Sequence, residues 1–184
     1  MERETSSQYT RPGVAVLFRR VFRILSVAAV VAVTAIATCA ALASRITINI
    51  TPSLPRGLYL LRPAVPPGRG SVVALPVPSS VRELISSRRD LPQRFQLLKR
   101  VVAIEGDRVC TAEHRYVING KLLSPIATHD QVGRPLPGPY PYCGLVAPGT
   151  VFVAGDGPSS LDSRYFGPVT LQTLTTAVPL WTSS

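Results

Sequence analysis

Two residues in this chain have types and settings that could support covalent chemistry, Ser53 and Lys99. Lys99 lies in the extended apolar run QLLKRVVAIEGD, from Gln96 to Asp107. Alternate residues of a strand share a face, so Phe95, Leu97, Lys99, Val101 and Ala103 fall together. The opposite face, Arg94, Gln96, Leu98, Arg100, Val102 and Ile104, is mixed, as expected of a strand packed on both sides. An ammonium seated among apolar neighbours is unfavourable unless it is paired or loses its proton, and the neutral amine is a general base. To be neutral near pH 7 its pKa must fall by roughly 3 units from ~10.4, a shift burial can supply. Ser53 sits in Thr51-Pro52-Ser53-Leu54-Pro55, where the two prolines forbid helix and stiffen the loop. A serine hydroxyl is a weak nucleophile alone, and an amine at about 3 Å can take its proton during attack. Acyl transfer through Ser53 is the chemistry this pair would perform. Taken singly, each residue also fits a plainer role: a satisfied loop hydroxyl, and a lysine snorkelling from a strand edge.

The elements that must position this pair are short strands. Ile46, Ile48 and Ile50 alternate in a first extended segment, and Gly57 permits a turn before Leu58 to Leu61. Ser71 to Leu75 follows the turn-rich PAVPPGRG, and Pro76 to Pro92 reads as a surface excursion in which Val81 to Ser87 has room for a turn or two of helix. After the Phe95 to Ile104 strand, Glu105-Gly106-Asp107 closes a tight turn. Arg108 to Cys110, Tyr116 to Ile118 and Lys121 to Leu123 form a meander with Asn119-Gly120 as its hairpin turn. Ser124 to Pro148 is a Pro- and Gly-rich loop; Thr150 to Ala154, Phe166 to Leu171 and Ala177 to Trp181 are the remaining strands. Many short strands and almost no amphipathic helix predict an all-β domain.

Ile24 to Ala43 is a 20-residue run without charge or proline, which as a helix spans about 30 Å, the width of a bilayer core. Arg3, Arg11, Arg19, Arg20 and Arg23 precede it and Arg45 alone follows closely, so the N-terminus is expected in the cytoplasm. The predicted organisation is a cytoplasmic tail over 1–23, a transmembrane helix over 24–43, and an exported domain over 44–184 with an insert around 111–148. The alternative is a cleaved secretory signal, for which Ala41-Leu42-Ala43 has suitable small residues. Twenty Lys+Arg against ten Asp+Glu give a net charge of +10, suited to anionic lipid or an acidic partner. No interleaving of aromatic with basic residues suits base stacking, so nucleic-acid binding is not expected. Cys110 and Cys143 fall on the exported side, where a disulfide between them would persist. Two such cysteines with His114 and His129 make no metal-ligand cluster, so neither a metal nor another cofactor is expected, and a histidine-based triad has no support.

Three stretches carry polar residues that a β scaffold does not need: Asn49 to Tyr59, Leu98 to Asp107, and Gly155 to Gly167. In order, and after an apolar segment, they resemble the successive boxes of the type I signal peptidase family. The form NITPSLPRGLY is similar to its conjugal-transfer branch, the TraF-like peptidases that process pilin precursors. The resemblance covers most of residues 45 to 171. It implies Ser53 as nucleophile and Lys99, in Lys99-Arg100-Val101, as general base. It implies the Ser53 N–H and the Thr51 hydroxyl as oxyanion donors, since Pro52 has no N–H. Asp162 and Arg164 are the expected supporting ion pair, with Ser160 rather than Ser163 orienting Lys99. Gly157 departs from the family, which commonly has asparagine there.

The resemblance further implies an inner-membrane, single-pass serine endopeptidase of the Ser-Lys type, with its catalytic domain in the periplasm. Its partners would be a pilin or another exported precursor, membrane lipid, and other proteins of a conjugation or secretion apparatus. The product could be released by water or cyclised by the substrate's own amine. Two alternatives stand beside it: a general type I signal peptidase, and a non-catalytic membrane-tethered assembly module using the Pro-rich insert as its contact.

Overall fold

The computed structural model describes residues 12–63, 65–87, 96–111 and 114–183. It divides the chain into two compact units, residues 1–44 and 45–184. In the first, helix α1 runs Pro12–Ala43. Proline at the first helical position loses nothing, because the N–H there has no intrahelical acceptor. The helix thus starts well before the expected span, and Arg19, Arg20 and Arg23, read as part of a tail, lie on it. Ser26, Thr34 and Thr38 donate to the carbonyls of Phe22, Val30 and Thr34, which satisfies their hydroxyls within an apolar surface. Val16–Ala43 is long and apolar enough to cross a membrane, and none of it is buried against protein. The part of the expected tail before Pro12 lies outside the described residues.

The second unit is built from antiparallel strands. In chain order they are β1 (Ile46–Asn49), β2 (Gly57–Arg62), β3 (Val72–Pro76), β4 (Gln96–Ala103), β5 (Arg108–Cys110) and β6 (Arg115–Ile118). There follow β7 (Lys121–Pro125), β8 (Cys143–Leu145), β9 (Thr150–Ala154), β10 (Val169–Thr170) and β11 (Thr175–Thr182). Seven form one sheet in the order β1-β2-β11-β3-β4-β9-β10, and four form another in the order β7-β6-β5-β8. On β4 the period-2 reading holds: Leu97, Lys99, Val101 and Ala103 are all buried, while Gln96 is exposed. Leu98 on the other face is buried too, with Leu54, Tyr59, Ala74 and Ala177, so the strand is packed on both sides. Phe95 and Arg94, expected at its start, lie outside the described residues. The Asn119-Gly120 hairpin joins β6 to β7 with positive φ at both turn residues, 50° and 77°.

Three elements differ from the sequence reading. The excursion after β3 holds the short helix its sequence allowed, α2, Ser79–Ser86, but it is not a surface feature, for it buries Val81 and Ile85 in the main core. Their i,i+4 spacing puts both on one face, a short helical signal among flanking prolines. Phe166 belongs not to a strand but to a helical turn, α3, Ser163–Phe166, capped by the Asp162 side chain, which accepts from Arg164 N. The Pro- and Gly-rich loop contains β8, which pairs with β5 so that Cys143 stands opposite Cys110. The two are joined in a disulfide across 33 residues.

Gly57 has a requirement that a turn residue would not. It begins β2 at φ 152°, and a Cβ there would lie 2.0 Å from the Trp181 carbonyl oxygen. Only glycine lets β11 approach β2 at this point.

Two measurements test this architecture. Gly57→Ala should lower Tm by about 2 to 12 °C, the effect of roughly 1 to 3 kcal/mol of overpacking in a chain of this size. Gly68→Ala, where a Cβ meets nothing within 4 Å, should leave Tm near wild type. Alkylation of the unfolded, non-reduced protein should label Cys39 alone, and all three cysteines after reduction.

Candidate active site

The loop carrying Ser53 is shaped by Asn49, which ends β1 and is 4% exposed. Its side-chain amide donates to the carbonyls of Thr51, Leu54 and Pro55 at 3.1, 2.8 and 3.1 Å. Its oxygen accepts from Thr51 N at 3.2 Å and Thr51 Oγ1 at 2.9 Å. One buried side chain thus satisfies a loop whose prolines remove two backbone donors. The Tyr59 hydroxyl donates to Pro55 O at 2.7 Å, and the buried Leu54 anchors the loop beneath. Asn49 was not singled out in the sequence. Its signal was a polar residue within an isoleucine alternation, and in the structure Ile46, Ile48 and Ile50 are exposed while Asn49 faces inward.

Ser53 and Lys99 meet. Lys99 Nζ donates to Ser53 Oγ at 2.8 Å and to Ser160 Oγ at 2.6 Å, and the two serine oxygens are 3.2 Å apart. Lys99 is 2% exposed. Burial pulls its pKa down from 10.5 to about 8; the Asp162 carboxylate opposes that shift, the Arg164 guanidinium adds to it, and Asp156 opposes it. At pH 7 about a tenth of a group with that pKa is neutral, against less than a thousandth for an unperturbed lysine. An amine in this seat can accept the Ser53 proton while donating to Ser160.

Asp162 and Arg164 form a buried ion pair, Nη2 to Oδ2 at 2.5 Å, with side-chain exposures of 0% and 1%. Arg164 Nε also donates to Asp162 Oδ1 at 2.8 Å, and Gly155 N donates to Asp162 Oδ2 at 2.8 Å. The remaining guanidinium donors go to the carbonyls of Gly157 and Pro158 and to Ser124 Oγ, each at 2.9 Å. The pair therefore clamps both ends of the 155–160 loop, and that loop presents Ser160 to Lys99. Gly155 is required for the fit, since a Cβ there would lie 2.2 Å from Ser160 Oγ. Ser163 is elsewhere: its Oγ accepts from Val153 N at 2.9 Å. Thr51 lies at the rim of the cleft holding Ser53, where its hydroxyl donates to Asn49. To serve an oxyanion it must leave that bond.

The cleft around Ser53 and Lys99 has a volume of about 270 Å³. Ile85 of α2, Leu97 of β4 and Leu161 supply apolar wall, and the tip of the Pro- and Gly-rich insert closes another side.

Comparison with known proteins places the chain in a family. The family model described as "Signal peptidase, peptidase S26" matches residues 18–181. The conjugal transfer protein TraF of Agrobacterium fabrum (strain C58) is 33% identical over 162 residues, covering 82% of this chain and 89% of its own. A plasmid transfer protein TraF of Escherichia coli is 30% identical over 146 residues, covering 74% of this chain and 82% of its own. A signal peptidase I from Enterococcus faecalis V583 superposes with a TM-score of 0.34 at 24% identity, over 59% of this chain and 92% of that one. The extent of the family match and the identity to relatives of similar length lead to one conclusion: this chain is a peptidase of the signal peptidase family, S26.

Proposed function

We propose that Ser53 and Lys99 form the catalytic dyad of a membrane-anchored endopeptidase that processes an exported precursor, a pilin precursor in conjugative transfer. The observation that carries this is the buried Lys99 amine, with its lowered pKa, at 2.8 Å from Ser53 Oγ. The conjugal and plasmid transfer names of the relatives support the setting. Neutral Lys99 takes the proton of Ser53 as Oγ attacks the scissile carbonyl carbon. The oxyanion is met by Ser53 N–H and by the Thr51 hydroxyl once it turns from Asn49. Collapse of the intermediate expels the amine, which takes the proton from the Lys99 ammonium and leaves an ester at Ser53. Water, or the substrate's own amino group, then attacks that ester; the second route yields a cyclic product one water lighter than the hydrolysed one. Ser160, in contact with both Lys99 Nζ and Ser53 Oγ, holds the amine in line, and the Asp162–Arg164 pair, which touches neither Ser53 nor Lys99 by a hydrogen bond, holds the loop that carries Ser160.

The general signal peptidase reading differs in substrate and not in chemistry. A non-catalytic assembly module gives no reason to bury a lysine amine on a constrained serine, where desolvation is unfavourable to its charge. The length and composition of the apolar α1 support its role as a membrane anchor. The arginines before it support a cytoplasmic N-terminus and a catalytic unit on the periplasmic side.

Precursor processing in reconstituted membranes tests the dyad. Lys99→Arg should abolish cleavage despite keeping the charge, because arginine stays protonated. Ser53→Ala should be as inactive and the double variant no worse, whereas Thr51→Val should cost about 10² to 10³ in rate. The base must be deprotonated, so kcat/KM should rise with pH and level off above about 8. Substantial cleavage by Lys99→Arg would remove the base from the mechanism. For the topology, a reporter active only outside the cytoplasm and fused after Ser184 should be active and sediment with membranes; a soluble product starting at Ser44 would instead show a cleaved signal.

A further inference from the structure

The cleft has a wall that neither nucleophile nor base requires. Residues 128–136, from the Pro- and Gly-rich insert, fold back on themselves through an isolated bridge between His129 and Pro135. Leu136 N donates to Thr128 O and Asp130 N to Arg134 O, both at 2.8 Å. Asp130 Oδ1 accepts from the N–H groups of Val132 and Arg134 at 3.0 and 2.9 Å, and Asp130 Oδ2 takes Arg134 Nε at 2.8 Å. Gly133 turns the tip at φ 79°. A nine-residue surface excursion this heavily bonded is ordered before any ligand arrives, which removes most of the cost of ordering it on binding. Its base is held too: the Tyr165 hydroxyl donates to Ala127 O at 2.9 Å, and Ile126 is buried.

At the tip, Gln131 and Val132 line the cleft that contains Ser53. The Gln131 amide reaches across to Gly157: a Cβ built on that glycine would lie 3.9 Å from Gln131 Nε2 and 3.9 Å from Pro52 O. The Gln131 and Val132 side chains are both exposed, Val132 by 71%. Ile85, Leu97 and Leu161 line the same cleft. An amide donor and acceptor carried on an ordered turn, beside an exposed aliphatic side chain, match the repeating chemistry of an extended peptide, a main-chain amide and an alternate side chain.

We propose that the 128–136 turn is a specificity wall for the peptide substrate, with the Gln131 amide hydrogen-bonding the peptide main chain and Val132 packing on an aliphatic side chain. This rests on the peptidase reading, yet binding and cleavage can be read apart. The probes are fluorescent peptides of about ten residues in which alanine alternates with valine or with serine, titrated onto full-length Ser53→Ala protein in detergent. Adding Gln131→Ala should weaken the valine peptide about threefold to tenfold, the worth of a hydrogen bond or two. Adding Val132→Asp should abolish the preference for valine over serine. Unchanged Kd values in both variants overturn the proposal. So does an equal loss of all peptides accompanied by a lowered Tm, which would assign the two residues to stability. Wild-type protein that fails to cleave peptides whose binding depends on Gln131 would sink the peptidase reading and leave the wall standing. Cleavage with a Kd indifferent to Gln131 would do the reverse.

Discussion

A carboxylate and a guanidinium removed from water must find every partner inside the protein, and Asp162 and Arg164 do so. Between them they engage Gly155 N, the carbonyls of Gly157 and Pro158, and Ser124 on β7. Arg164 O also accepts from Tyr140 N, in the loop leading to β8. One buried pair thus ties the loop that carries Ser160, the small sheet and the insert to a single point. Removing either partner from such a pair typically costs about 3 to 5 kcal/mol, because the other is left charged and unpaired. That makes the 155–164 segment unable to drift without loss of fold, and Ser160 unable to drift from Lys99.

The same pair bears on the state of Lys99. The carboxylate alone would favour the ammonium and keep the lysine charged. The guanidinium bound to it opposes that attraction, and burial, the largest effect, decides the direction, so the amine sits at about 8 instead of 10.5. A neutralised anchor close to Lys99 holds its geometry without placing a net charge beside the amine. Asn49 performs the parallel task for Ser53: it bonds the loop from within and carries no charge to perturb the amine.

The insert is held to this frame rather than hung from it. The Cys110–Cys143 disulfide closes β8 onto β5, and a crosslink of that loop length stabilises by about 3 to 4 kcal/mol on the chain-entropy model. Thr111 N donates to Tyr142 O beside it, and Tyr142 packs against Phe152 of β9 with ring centroids 4.8 Å apart. These contacts bring a segment rich in proline and glycine, which has no periodicity of its own, to the edge of the cleft.

What local chemistry dictates was legible before any coordinates. Period 2 placed Lys99 with Leu97, Val101 and Ala103 because strand side chains alternate whatever the surrounding fold. Two prolines stiffened the Ser53 loop, Asn119-Gly120 specified a turn needing positive φ, and a 20-residue uncharged run announced the apolar helix. The residues that meet across the chain were not legible in this way. Ser53 and Lys99 are 46 residues apart, and Ser160 is 107 from Ser53, distances over which only the order of strands in the sheet decides contact. That Asn49 turns inward while its isoleucine neighbours face out, that Ile85 is core, and that Gln131 reaches the cleft all depend on what packs opposite them. Periodicity reports which residues share a face; the partner that covers the face is a property of the tertiary structure alone.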